Sequence, residues 1–135
     1  MAKDEVSAFL LTEPDVGSDP ARMSSTAVPS ADGSAYVLNG TKLWTTNGVI
    51  ADLLVVMAVV PPSDGHRGGI TAFVVEADAP GITVLHRNQF MGLRGIENGV
   101  TRFENVRAVS YTHLDVYKRQ PRSRWCLRCT GDRPR

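Results

Sequence analysis

Short runs of apolar and β-branched residues alternate with turn-forming dipeptides along most of this chain. The runs fall at residues 9–12, 25–29, 36–38, 42–46, 53–59, 70–76, 83–86 and 100–103. Between or beside them stand Asp32-Gly33, Asn39-Gly40, Asn47-Gly48, Gly68-Gly69 and Asn98-Gly99, dipeptides that tolerate positive φ and suit tight turns. No comparably long segment carries an apolar stripe at helical spacing. The pattern predicts an all-β fold, a small barrel or sandwich of short antiparallel strands. Within it, residues 36–44 read as a hairpin with Asn39-Gly40 at its tip. The run ITAFVVE at 70–76 has the β-branched character of a strand covered on both faces. Pro80-Gly81 should then turn the chain.

Composition bounds the size and class. The 135 residues make about one domain, and a hydrophobic share of 42% is ordinary for a soluble protein. The longest apolar stretch, residues 53–60, is too short to cross a bilayer, so no membrane span is expected. The start, MAKDE, lacks the basic region and apolar core of a secretory signal, which predicts a cytoplasmic protein, or one of the mitochondrial matrix in a eukaryote.

Charge divides the chain unevenly. Residues 1–108 hold eight Lys/Arg and twelve Asp/Glu, whereas residues 109–135 hold seven Lys/Arg and two Asp. The basic end contains both cysteines, Cys126 and Cys129. That CxxC pair is half a zinc site with no second pair of ligands at helpful spacing, so no metal is expected. The same end lacks interleaved aromatics or a recognisable recognition motif, so no nucleic-acid partner is expected. The expected division is a β-domain over 1–108 and a basic, unstructured tail over 109–135. The string from Ala108 to Gln120 resembles a translated sequencing-adaptor artefact, and the tail is not expected to be the natural continuation of the domain.

Two segments carry candidate chemistry. LTEPDVGSD at 11–19 is a polar loop in which Pro14 stiffens the backbone and Gly17 permits close approach. GTKLWTTNG at 40–48 sets an indole beside two hydroxyls near a strand end. Together they offer backbone N–H donors, alcohols and one flat apolar surface. Taken alone, each has a plainer reading: an Asx or ST turn made by Asp15, Ser18 and Asp19, and an ordinary core tryptophan at Trp44.

In order along the chain, LTEPDVGSD, LNGTKLWTTNG, ITAFVVEADAPGI, MGLRG and FENVR resemble the central β-domain of acyl-CoA dehydrogenases. The resemblance runs from about Phe9 to Arg107. It implies an FAD-binding, acyl-CoA-contacting domain of an oxidoreductase that makes a trans-2-enoyl thioester and delivers hydride to flavin N5. It places the flavin against Phe9, Leu11, Thr12, Gly17, Ser18, Trp44, Thr45 and Thr46. Ser18 would also meet the substrate, the Trp44 indole would cover one flavin face, and the Thr46 hydroxyl would donate to N5. Thr45 is given only a backbone contact. Gly92 and Gly95 would shape a turn, with Arg94 bracing it or solvated.

No catalytic residue is expected in this chain, because the family's carboxylate base comes from a C-terminal helical domain. Glu13 belongs to the loop motif, and Glu76, Glu97 and Glu104 read as strand-end or surface charges. The chain alone is therefore expected to be inactive. The resemblance further implies an electron-transferring flavoprotein as electron acceptor and a homo-oligomeric parent. An acyl-CoA oxidase-like flavoenzyme and a cofactor-free β-sandwich binding module stay open as alternatives.

Overall fold

The computed structural model describes residues 5–63 and 67–109. Expectations for the basic tail, including its CxxC pair, lie outside the described residues. Seven strands form: β1 (Ser7–Leu10), β2 (Thr26–Pro29), β3 (Ala35–Thr46), β4 (Leu53–Val60), β5 (Gly69–Glu76), β6 (Ile82–Asn88) and β7 (Asn98–Val109). A single 3-10 turn, Pro20–Arg22, is the only helical element among the described residues. The fold is all-β, as the alternation predicts.

All seven strands belong to one sheet that curls into a half-barrel. β4 is bordered along its whole length on one side by antiparallel β5. Its other side is shared: β1 pairs with its first half and β2 touches it at Thr26 and Val59, both in parallel. From β2 the sheet continues antiparallel through β3 and β7 to β6. The inner face is the core. Leu10, Ala27, Leu38, Leu54, Val56, Phe73, Phe103 and Val106 meet there from six strands. β4 shows the period-2 pattern most clearly, with Leu54, Val56, Ala58 and Val60 inward. Leu54, Val56 and Val60 each contribute about 1.5–3 kcal/mol by leaving water.

Four expectations change. Asn39-Gly40 is not a hairpin tip. The runs at 36–38 and 42–46 are one strand, β3, because β7 pairs with it from Ala35↔Val109 to Thr46↔Asn98. A bulge at Leu38/Gly40 absorbs the irregularity, and Gly40 is needed there because a Cβ would sit 2.1 Å from the Ser25 hydroxyl oxygen. Asn98-Gly99 likewise opens β7 instead of turning the chain. The strands are not all antiparallel, since long connections return β4 beside β1 and β2 with the same sense. Finally, β5 is covered on one face only: Phe73 and Val75 are buried, while Ile70 and Ala72 on the same run are exposed, as suits a strand at the sheet edge. Asp32-Gly33, Asn47-Gly48 and Pro80-Gly81 do turn the chain.

Candidate functional site

The site begins with a second bulge in β3. Lys42 opposes Thr101 and Thr45 opposes Gly99, so three steps along β3 match two along β7. The extra residue changes which way the side chains face. Lys42 and Thr45 both turn inward and are fully buried, while Trp44 and Thr46 turn out. Trp44 takes φ 54°, an unusual value for a bulky residue, and is 58% exposed. It is therefore not a core tryptophan. Its ring stacks on Phe90, with centroids 6.3 Å apart and planes 23° from parallel.

The loop after β1 docks beside this bulge. Glu13 and Val16 exchange backbone hydrogen bonds of 3.0 and 3.2 Å, forming a tight turn with Pro14 and Asp15 at its exposed tip. The Leu43 N–H donates to the Thr12 carbonyl at 2.8 Å. Beneath this contact lies a fully buried ion pair: Lys42 Nζ donates to Glu13 Oε1 at 2.8 Å and to the Leu11 carbonyl at 3.2 Å. Glu13 also accepts from the Ser24 N–H at 2.7 Å, the Ser24 hydroxyl at 2.7 Å and the Ser25 N–H at 3.0 Å.

Burial pushes the Glu13 carboxyl up, but the donors from Lys42, Ser25 and Ser24 outweigh it and hold the group down at about 2. Burial pulls Lys42 below the ordinary lysine range, partly offset by Glu13. Glu13 is held as the carboxylate at neutral pH and is too enclosed and too well satisfied to serve as a base.

The expected site residues divide into three sets. Leu11 and Thr12 are half-buried and tied directly to Lys42 and Leu43, so the root of the loop adjoins Trp44 and Thr46. Phe9 is 57% exposed on β1, and Gly17 and Ser18 are exposed beyond the turn, where a Cβ at Gly17 would meet nothing within 4 Å. Thr45 is buried, with its hydroxyl oxygen unpartnered; its side chain cannot reach a ligand.

Lys42, Ser24 and Ser25 were not among the residues singled out from sequence. A lysine on the inward phase of an apolar strand, with a glutamate in the adjoining motif, was the available signal.

A groove of about 450 Å³ runs along the β6–β7 connection, lined by Arg87, Asn88, Gln89, Phe90, Met91, Arg94 and Ile96. Arg87 pairs with Glu97, and Arg94 is exposed at the groove. A second cavity of about 460 Å³ is rimmed by Glu5, Asp52, Glu76 and Asp78. Among the described residues no cluster of three or more His, Cys, Asp or Glu is disposed to hold a metal ion, and no helix is long and apolar enough to cross a membrane.

The family model for the acyl-CoA dehydrogenase middle domain matches residues 8–106. The chain belongs to the acyl-CoA dehydrogenase middle-domain family. Among curated relatives it is 77% identical over 106 residues to the probable acyl-CoA dehydrogenase FadE10 of Mycobacterium tuberculosis, covering 78% of this chain and 16% of that protein. It is 43% identical over 111 residues to the mitochondrial very long-chain specific acyl-CoA dehydrogenase of Homo sapiens, covering 79% and 17%. Among solved structures it superposes on an acyl-CoA dehydrogenase from Bacillus anthracis, complexed with FAD, with a TM-score of 0.67 and 35% identity over 76% of this chain and 17% of that one. The chain spans about one sixth of the length of these relatives. The bulge, the loop and the stacked Trp44 all lie within the matched middle domain.

Proposed function

We propose that this chain is the FAD- and acyl-CoA-contacting surface of an acyl-CoA dehydrogenase. The observation that carries the reading is the Lys42/Thr45 bulge, which turns Trp44 and Thr46 outward beside the root of the Leu11–Thr12 loop. An exposed indole and an exposed alcohol beside the loop fit the requirements of a flat, polar-edged ring. Bound there, FAD would supply the hydride acceptor for α,β-dehydrogenation of an acyl-CoA thioester.

The chain's own residues would bind and orient. The Trp44 indole covers one ring face and excludes water from it. The Thr46 hydroxyl would be the donor held toward N5, the atom at which a bound flavin would supply its hydride chemistry. Phe9 and Leu11 flank the ring edge, and Thr12 and Gly17 offer it backbone N–H groups. Ser18 sits where ring and thioester meet, and Thr45 contributes backbone alone. The reading assigns no base to this chain, so turnover, transfer of electrons to an electron-transferring flavoprotein and homo-oligomeric assembly all belong to the longer protein. A cytoplasmic or mitochondrial-matrix location goes with the same proposal, as does a domain that ends near residue 108.

The test is a titration of the isotope-labelled 135-residue chain with FAD to millimolar concentrations, followed by NMR. Saturable shifts of the Trp44 indole N–H and the Thr46 amide are expected, with the Thr46 shift abolished by Trp44→Ala. Shifts that are absent, or that persist in Trp44→Ala, would overturn the reading.

A further inference from the structure

The Lys42 side chain does more than neutralise Glu13. Its ammonium donates to the Leu11 carbonyl, which belongs to the same peptide unit as the Thr12 N–H. That peptide is trans, since the described chain contains no cis bond, so carbonyl and N–H point in opposite directions. Fixing the carbonyl on a buried ammonium therefore aims the Thr12 N–H away from the core. The Thr12 carbonyl is fixed independently by the Leu43 N–H at 2.8 Å. The Thr12 N–H itself has no hydrogen-bond partner among the described residues. At this half-buried position the donor is left open to a ligand or to water.

From this arrangement the geometry points to Lys42 and Glu13 as positioning residues: a buried, self-neutralised clamp that presents the Thr12 N–H as a preorganised donor to the edge of the proposed flavin. The inference rests on the FAD reading above. Ser24 and Ser25 complete the clamp, because three of their donor groups hold the Glu13 carboxylate in place while Lys42 reaches past it to Leu11. A clamp with no net charge orients the donor without placing a bare charge behind the ring. A lysine acting by charge alone would not need Glu13 at 2.8 Å.

The deciding variant is Glu13→Leu/Lys42→Met in the full 135-residue chain. It exchanges the ion pair for apolar volume, a change that buried pairs often tolerate without loss of stability. The melting curve should stay cooperative. Exchange of the Leu43 amide should accelerate about tenfold, because its acceptor is no longer anchored. In an FAD titration the Trp44 indole should still shift, the Thr12 amide response should vanish, and affinity should fall about five- to tenfold. A merely structural role would weaken both signals together.

A folded double variant with an unchanged Thr12 response and affinity overturns the proposal. So does faster Leu43 exchange with no change in FAD binding. Should the double variant not fold, Ser24→Ala removes one exposed donor to Glu13 and should move the same signals by about twofold; no movement counts against the clamp. No FAD response in the unmutated chain sinks the flavin reading itself, a failure visible before any variant is made.

Discussion

Replacing Lys42 with methionine should be the most informative single perturbation of the fold. Methionine keeps most of the stem's volume, so little packing is lost. What changes is electrostatic. Glu13 loses its 2.8 Å donor and stays fully buried, and the Leu11 carbonyl loses its 3.2 Å donor. Breaking one side of a buried ion pair costs about 3–5 kcal/mol. The three donors left to Glu13 from Ser24 and Ser25 place this case near the lower end, about 3 kcal/mol. With a urea m-value of about 1.5 kcal/mol/M, the unfolding midpoint should fall by about 2 M at pH 7.

The pH dependence separates this cause from others. In the unmutated chain the folded-state value lies below the unfolded one. Ionised Glu13 therefore stabilises the fold above about pH 4.5, and that contribution is lost as pH falls toward 2. In Lys42→Met the upward push of burial is less opposed, so the carboxyl should protonate at higher pH. The stability gap between the two proteins is then widest at neutral pH and narrows as pH falls through the variant's raised folded-state value toward 2. Urea unfolding followed by tryptophan fluorescence at pH 7 and pH 4 measures both numbers. A gap under about 1 kcal/mol, or one that is the same at both pH values, would refute the reasoning.

Thr45→Val should leave stability unchanged or raise it by about 1 kcal/mol, because the buried hydroxyl has no partner to lose; a fall of that size in chemical denaturation would reveal a hidden one. Gly81→Ala should cost at least about 2 kcal/mol, since the added Cβ would lie 2.2 Å from the Glu104 carbonyl oxygen at a backbone φ of 91°; an unchanged melting temperature would show that β6 can move away from β7. Trp44→Ala should change thermal stability by less than about 1 kcal/mol, because the indole is mostly exposed; a large loss would make it a structural residue.

How far the sequence reaches depends on which interactions set each feature. Alternation located β1, β2, β4, β5 and β6 to within about two residues, because one face of each strand enters the core, but it split β3 in two and stopped β7 at Phe103, six residues before its end at Val109. β4 could hardly be misread. The failures at Asn39-Gly40 and Asn98-Gly99 share a cause. A dipeptide able to turn predicts a turn, but long-range pairing of β3 with β7 keeps both in strands. At Gly40 the glycine serves close approach to Ser25, and at Gly99 a Cβ would lie 2.9 Å from Val49 Cγ2. Parallel pairing of β1 and β2 with β4 had no local signature at all, since it depends on where long connections deliver the chain. In the candidate site, the motif residues were legible one by one. The Glu13–Lys42 pair was not, because its members stand 29 positions apart and only the curled sheet brings them together.

The strain at Trp44 ties these observations together. Local preference disfavours φ 54° for a bulky aromatic, and a residue held there costs on the order of 1–3 kcal/mol. The chain accepts that cost two residues after its most enclosed ion pair, and the bulge that imposes it exposes an indole to water. An unbulged β3 would keep Lys42 and Trp44, two residues apart, on one face and bury the tryptophan beside the lysine. The bulge separates them, hiding the charge and exposing the aromatic surface. Leu93, a second bulky residue at positive φ, is 75% exposed on the β6–β7 connection that also brings Phe90 against Trp44. Two strained apolar residues on neighbouring segments, one of them braced from below by a buried clamp, suit a surface shaped for a flat ligand better than one shaped for folding. If the strain served the fold, Trp44→Gly, which relieves it, would destabilise the chain. If it serves the ligand, the same substitution should raise or preserve the melting temperature while abolishing the FAD response.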